Sequence, residues 1–168
     1  MKQLKTLFFA SLIFIGATSI VKAQAKIAHI NTQELIQAMP ETKKAEAEIQ
    51  KLGKTYEATI QESFKELDTK LKQYNAEAES KSQEENQRRM QEVEGMKQSL
   101  TEYQQQAQKD LQQKEFDLLK PITEKAKAAI ERVAAAQGYE YVLEASTLIV
   151  AQGKDLMDDV KKALGINE

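Results

Sequence analysis

One periodicity constrains this chain more than anything else in it. From Ile49 the apolar positions run Leu52, Tyr56, Ile60, Phe64, Leu67, Leu71, Tyr74 and Ala78. That is 29 residues in eight steps, about 3.6 per step and therefore the α-helical repeat. The series resumes at Met90, Val93, Met96, Leu100, Tyr103, Ala107 and Leu111, and continues through Leu118, Ile122, Ala126, Ala129 and Val133. Residues 75–89 carry no large apolar side chain, and Ser82 with Glu85 spells a capping box for a second helix start. The pattern predicts two long helices that turn back near 79–83. The stripe is one position wide per turn, so the pair forms a thin antiparallel coiled coil rather than helices buried on several sides. About 39 residues at 1.5 Å rise give an arm of roughly 60 Å.

With the turn near 81, paired positions sum to about 162, and Pro121 falls opposite residue 41, beside Pro40. Both prolines of the chain thus lie at the base of the arm. Proline in a helix interior forfeits a hydrogen bond and costs about 3 kcal/mol, so Pro40 and Pro121 are read as a hinge where the arm meets a body. Gly53 and Gly95, within the arm, are read either as tolerated or as sites of pliability.

The flanks read differently. Lys26–Ile30 is a plausible strand, followed by Asn31 with Glu34 as a helix cap. Gly138 stops the second long helix. Tyr139, Tyr141 and Leu143 alternate on one face of a strand, and Thr147–Val150 reads as another. Asp155 is expected to cap a last helix that Gly165 ends. The fold class is therefore α+β and mainly α: a long helical hairpin, 41–120, on a small β-containing body built from 24–40 and 121–168. Such a body is small, and self-association through it is the simplest route to stability.

Residues 1–23 read as a secretory signal peptide. Lys2 and Lys5 precede an apolar stretch, Leu7 to Val21, and Val21-Lys22-Ala23 offers a cleavage site after Ala23. The apolar run of about 15 residues is short of the roughly 20 that span a bilayer. Removing Lys2, Lys5 and Lys22 leaves 21 Lys+Arg against 26 Asp+Glu, a net charge of −5.

Composition narrows the function. There are no cysteines, so disulfides, thiolate metal sites and cysteine nucleophiles are excluded. A single histidine rules out a multi-histidine metal centre. His29 is read as structural. No G-x-x-x-x-G-K loop is present, and the acidic balance gives no reason for nucleic-acid binding. No enzyme, cofactor or metal is expected.

In order along the chain, the export signal, the strand Lys26-Ile27-Ala28-His29-Ile30, the Gln-rich charged hairpin, the segment Gln137–Ala145 and the helix from Asp155 to Leu164 resemble the Skp/OmpH family of periplasmic chaperones. The resemblance implies a homotrimer shaped like a jellyfish, with a central β body and three helical tentacles around a cavity. It implies an ATP-independent holdase that keeps unfolded outer-membrane β-barrel proteins soluble in the periplasm. The body residues would be Ile27, Ile30, Tyr141, Leu143, Leu148 and Val150. Client-contacting candidates are the adaptable Met and aromatic residues Phe64, Tyr74, Met90, Met96, Tyr103 and Phe116, most of which also sit at seam spacing. This chain departs from the strongly basic best-known members. Its arm, 41–120, counts 14 Lys+Arg against 17 Asp+Glu, so contact of the arm tip with lipid or lipopolysaccharide is not carried over. The alternative reading is a secreted envelope stalk or scaffold without chaperone activity.

Overall fold

The computed structural model describes residues 25–166; the expected signal peptide lies outside them. The chain opens with strand β1 (Ile27–Ile30). Asn31 is extended, and its side chain accepts a hydrogen bond from the Glu34 amide at 3.1 Å, which starts helix α1 (Thr32–Ala38). Met39 is extended, with φ −70° and ψ 132°, as the residue before a proline prefers to be. Pro40 then occupies the first turn of α2 (Pro40–Glu77), where its missing N–H costs nothing. It begins a helix rather than interrupting one.

The hairpin forms as the periodicity predicts. Helix α2 is 38 residues long, roughly 57 Å. A 3-10 turn at Ala78–Ser80 closes it. The Ser82 hydroxyl accepts from the Glu85 amide at 3.2 Å and starts α3 (Gln83–Gln137). The chain thus turns between Ala78 and Ser82, overlapping the 79–83 read from the sequence. Helix α3 is 55 residues long and runs without a break through Pro121. Its end is the glycine stop expected at Gly138, which takes φ 73° and closes the last turn with Tyr139 N–H bonded to Ala134 O at 2.9 Å.

Past that stop come β2 (Tyr141–Glu144), a 3-10 turn at Ala145–Thr147, the two-residue strand β3 (Lys154–Asp155) and helix α4 (Met157–Leu164). The sheet order is β2-β1-β3, and both pairings are parallel. The whole hairpin is therefore the crossover between two neighbouring strands.

Two details of the third zone differ from the sequence reading. Thr147–Val150 is not a strand: the Thr147 hydroxyl bonds back to Glu144 O at 2.9 Å and Leu148 N–H to Ala145 O at 3.1 Å. Those bonds turn the chain out of line with β2, and it must then pass β1 to reach the far side of the sheet. Ile149 and Val150 carry a genuine β propensity, but among the described residues they pair with no strand. The strand that does form is Lys154–Asp155, whose polar residues gave no signal. Asp155 is not the cap residue of the last helix: Leu156 holds that position, its carbonyl accepting from Val160 N–H and its side chain bonding nothing, while the Asp155 carboxylate, one residue earlier, accepts from the Met157 amide at 2.9 Å.

Two hydrophobic clusters hold the molecule. The first lies at the base: Ala28 and Ile30 from β1, Leu35 from α1, Met39 between α1 and α2, and Ala45 from α2 meet α3 (Ile122 to Ala134), Leu156 just before α4, and Met157 and Val160 of α4. Ile30, Leu35, Met39, Leu156 and Val160 are fully buried. The second is the arm seam, centred on Leu67, Val93 and Leu100. Ala45 and Ile122 both belong to the basal cluster, so the ends of the arm adjoining Pro40 and Pro121 meet at one level.

Candidate functional surfaces of the arm and the sheet

The sheet has two faces and they are unlike. Ala28, Ile30 and Val142 point into the basal core. Strand alternation sends Ile27, Tyr141 and Leu143 the other way, where they are 50%, 58% and 41% exposed. The register sets Ile27 beside Tyr141 and His29 beside Leu143, so these side chains form one outward patch. His29, on the same side, is buried and its Nε2 lies 3.1 Å from Gly153 O. It ties β1 to the loop before β3, a structural task. The outer edge of β2 pairs with no strand among the described residues. Beside it, a cavity of about 580 Å³ is lined by Ile30, Ile36, Ala126, Ile130, Val142 and Leu143, among others.

The six expected body residues therefore separate. Ile30 belongs to the chain's own core. Ile27, Tyr141 and Leu143 lie together on the outward sheet face. Leu148 is half-buried and Val150 is exposed, next to Ile149, which is fully so.

One carboxylate fastens the end of β2. Glu144 accepts from the Thr32 amide (3.2 Å), the Thr32 hydroxyl (2.5 Å) and the Ser146 amide (3.3 Å). Burial alone would raise its pKa, but these hydrogen bonds outweigh burial and hold the carboxyl below its ordinary value.

On the arm the six candidates also divide. Tyr74, Met96 and Tyr103 are seam residues. Tyr74 and Met96 pack on the Leu67–Val93–Leu100 cluster, and Tyr103 meets Tyr56 edge-on at 5.8 Å. The Tyr74 hydroxyl donates to Glu92 at 2.7 Å, and the Arg89 guanidinium lies 4.6 Å above its ring. Phe64, Met90 and Phe116 are instead 52%, 71% and 59% exposed. Phe116 is sixteen residues from the seam residue Leu100, a spacing that puts it on the face of α3 turned away from α2. Lys120 lies over its ring at 5.8 Å.

A feature the apolar reading overlooked is a set of polar links between the two helices. Glu41 pairs with Lys125, Glu48 with Lys114 (2.6 Å), Lys70 with Glu92 and Glu77 with Arg89 (2.8 Å). The Tyr56 hydroxyl donates to Asp110 at 2.9 Å. Hydrogen bonds from Lys70 and Tyr74 hold the Glu92 carboxyl low; those from Gln73 and Arg89 do the same for Glu77. The sums of paired positions run from 162 to 166, the register expected from the turn. The signal was in the sequence, as the near-heptad spacing of Glu41, Glu48, Lys70 and Glu77, but only the register reveals which cation each acid meets.

Comparison with known proteins agrees with this architecture. A crystal structure from Caulobacter crescentus CB15, assigned provisionally as an OmpH-like outer membrane chaperone, superposes with a TM-score of 0.75 at 16% identity, covering 84% of this chain and 85% of that one. At that identity the likeness is one of fold. No curated protein matches the sequence. The family model described as "Outer membrane protein (OmpH-like)" matches residues 26–164, nearly all of the described chain. With the hairpin, the parallel sheet and this match in hand, the chain belongs to the OmpH-like outer membrane protein family.

Proposed function

We propose that this protein is an ATP-independent holdase of the periplasm, which binds unfolded outer-membrane β-barrel proteins and keeps them soluble in transit. The observation that carries the reading is the exposure of Phe64, Met90 and Phe116 on an arm that is otherwise charged and whose own seam is already filled. Such side chains offer weak, adaptable, non-directional contacts to apolar segments of many shapes. The surrounding mixed charge keeps a loaded complex in solution. Membership of the OmpH-like family supports a chaperone-type role and an envelope location.

Assembly is part of the proposal. Three copies join through the bodies, covering the outward patch of Ile27, Tyr141 and Leu143 and the free edge of β2. An uncovered sheet edge beside an apolar cavity is an aggregation hazard that association removes. A stalk or scaffold would be served by one unbroken rod; the hairpin, with its acute turn at Ala78–Ser80, does not favour it.

The test is direct. Residues 24–168, purified without nucleotide, should suppress the aggregation of a urea-unfolded β-barrel protein diluted into buffer. Full aggregation at several-fold molar excess would overturn the holdase reading. Sedimentation should give the mass of three chains, and Tyr141→Glu should shift it to one.

A further inference from the structure

The arm has two long edges, one on each side of its seam, and they differ. All the interhelical ion pairs among the described residues lie along one of them. On α2 they use positions 41, 48, 70 and 77, separated by multiples of about seven residues. That spacing keeps them on one stripe of a helix. On α3, Glu92 and Asp110 are eighteen residues apart, five turns, and Asp110 and Lys114 are four apart. This edge is latched from base to tip.

Among the described residues the opposite edge carries no interhelical ion pair; it is tied at the tip, where the Asn86 side-chain amide donates to Ala78 O at 2.8 Å. On α2 it runs Phe64, Asp68, Leu71 and Asn75, at spacings of four, three and four. On α3 it runs Asn86, Met90 and Lys97. Its ions pair within a single helix: Asp68 with Lys72 and Glu94 with Lys97. At the tip end it opens into a groove of about 400 Å³ where Leu71, Tyr74, Val93 and Met90 supply apolar wall and Asn75, Asn86, Arg89, Glu94 and Lys97 supply the polar rim. Phe64 continues the same edge towards the base. A groove on the latched edge also exists, but serines, threonine and carboxylates line much of it: Thr59, Ser63, Glu66, Glu92 and Ser99.

We propose that the unlatched edge, with Met90 and Phe64 at its centre, is the side of the arm that takes an extended apolar segment of unfolded polypeptide, while the latched edge stays free of client. The assignment rests on the holdase reading above and adds to it which edge binds. The occupant follows from the wall and rim together. A flexible thioether and a phenyl ring accept varied apolar side chains, and Asn75 and Lys97 can bond the main chain of an extended segment that has no partner of its own. At the tip the groove runs beside Arg89, which pairs with Glu77 across the helices, so a bound segment packs next to that latch.

Photo-crosslinking decides the matter. A benzophenone amino acid is placed singly at Met90, Phe64, Glu66 and Ser99 in the full mature chain, and a urea-unfolded β-barrel protein is added by dilution. Met90 and Phe64 should give client adducts at least about five times more abundant than Glu66 and Ser99. Comparable adducts from all four positions, in a preparation that still suppresses aggregation, would overturn the edge assignment and leave the holdase reading standing. Adducts chiefly from Glu66 and Ser99 would reverse it. No adducts and no suppression would overturn the holdase reading itself. As a second measure, Met90→Gln with Phe64→Gln should weaken client binding about tenfold while the far-ultraviolet circular dichroism stays unchanged, and Ser99→Gln should not. An unweakened double variant would also overturn the assignment.

Discussion

Glu144 shows how much one side chain can organise when its partners are backbone groups. It satisfies the half-buried first amide of α1, which would otherwise be left without a partner, and an exposed amide of the 3-10 turn. Glu144→Gln keeps the shape but loses the charge, and should destabilise the base by about 1–2 kcal/mol in urea unfolding. The pH dependence follows from the direction of the shift. The folded carboxyl ionises below the unfolded reference of 4.5, so its contribution is complete above that value and is lost as pH falls through the lower folded one. The wild-type protein should therefore lose more stability than the variant on acidification below pH 4.5, which paired urea titrations would reveal. This residue was invisible in sequence. It was read only as part of a strand, and nothing in Tyr141–Glu144 announces that its last carboxylate reaches Thr32, 112 residues away.

Among the secondary-structure elements, the two long helices were legible because local rules and packing agree along their length: an unbroken 3.6 repeat, a cap at Ser82, a glycine stop at Gly138. The strand expected over Thr147–Val150 was misread for the opposite reason. A short apolar run states a propensity, and only a free neighbouring edge converts it into a strand. Lys154–Asp155 pairs because the chain passes there, not because of what it is made of. Two outcomes test the elements. Leu100→Ala, in the narrow seam, should cost about 2–3 kcal/mol, with hydrogen exchange rising in the arm and not at the base. Pro121→Ala restores a donor in the interior of α3 and should stabilise by about 1–3 kcal/mol. A loss of client binding in that variant, with stability gained, would reveal that the arm uses a bend at this position.

The whole molecule separates its two interests. Packing sits at the base and in a seam one residue wide, while the surfaces that remain sticky face outward: the patch on the sheet and the unlatched edge of the arm. Which of the proposed client residues stand outside the seam is not legible in the sequence. Helical spacing marks Tyr74, Met96 and Tyr103 as seam-like; it takes the hairpin register to see that Phe64 and Met90 emerge across the seam from the ion pairs, and that Phe116 faces away from both. At this scale the expected result is physical separability. Tyr141→Glu should abolish assembly without melting the arm, read as a mass near 16 kDa in sedimentation with helix content by circular dichroism retained.

The crossover described above also dictates an order of events. Ile27 pairs with Tyr141, 114 residues later, so the first strand to appear during synthesis has no lawful neighbour until the entire rod has been made. The rod needs only contacts between nearby turns and can zip from Ala78–Ser80 downward as soon as both limbs exist. Its closure carries the two distant strands to the same place and spares them a blind search through a long flexible loop. A polypeptide halted just short of Tyr141 would own a nearly complete tentacle and nothing to stand it on.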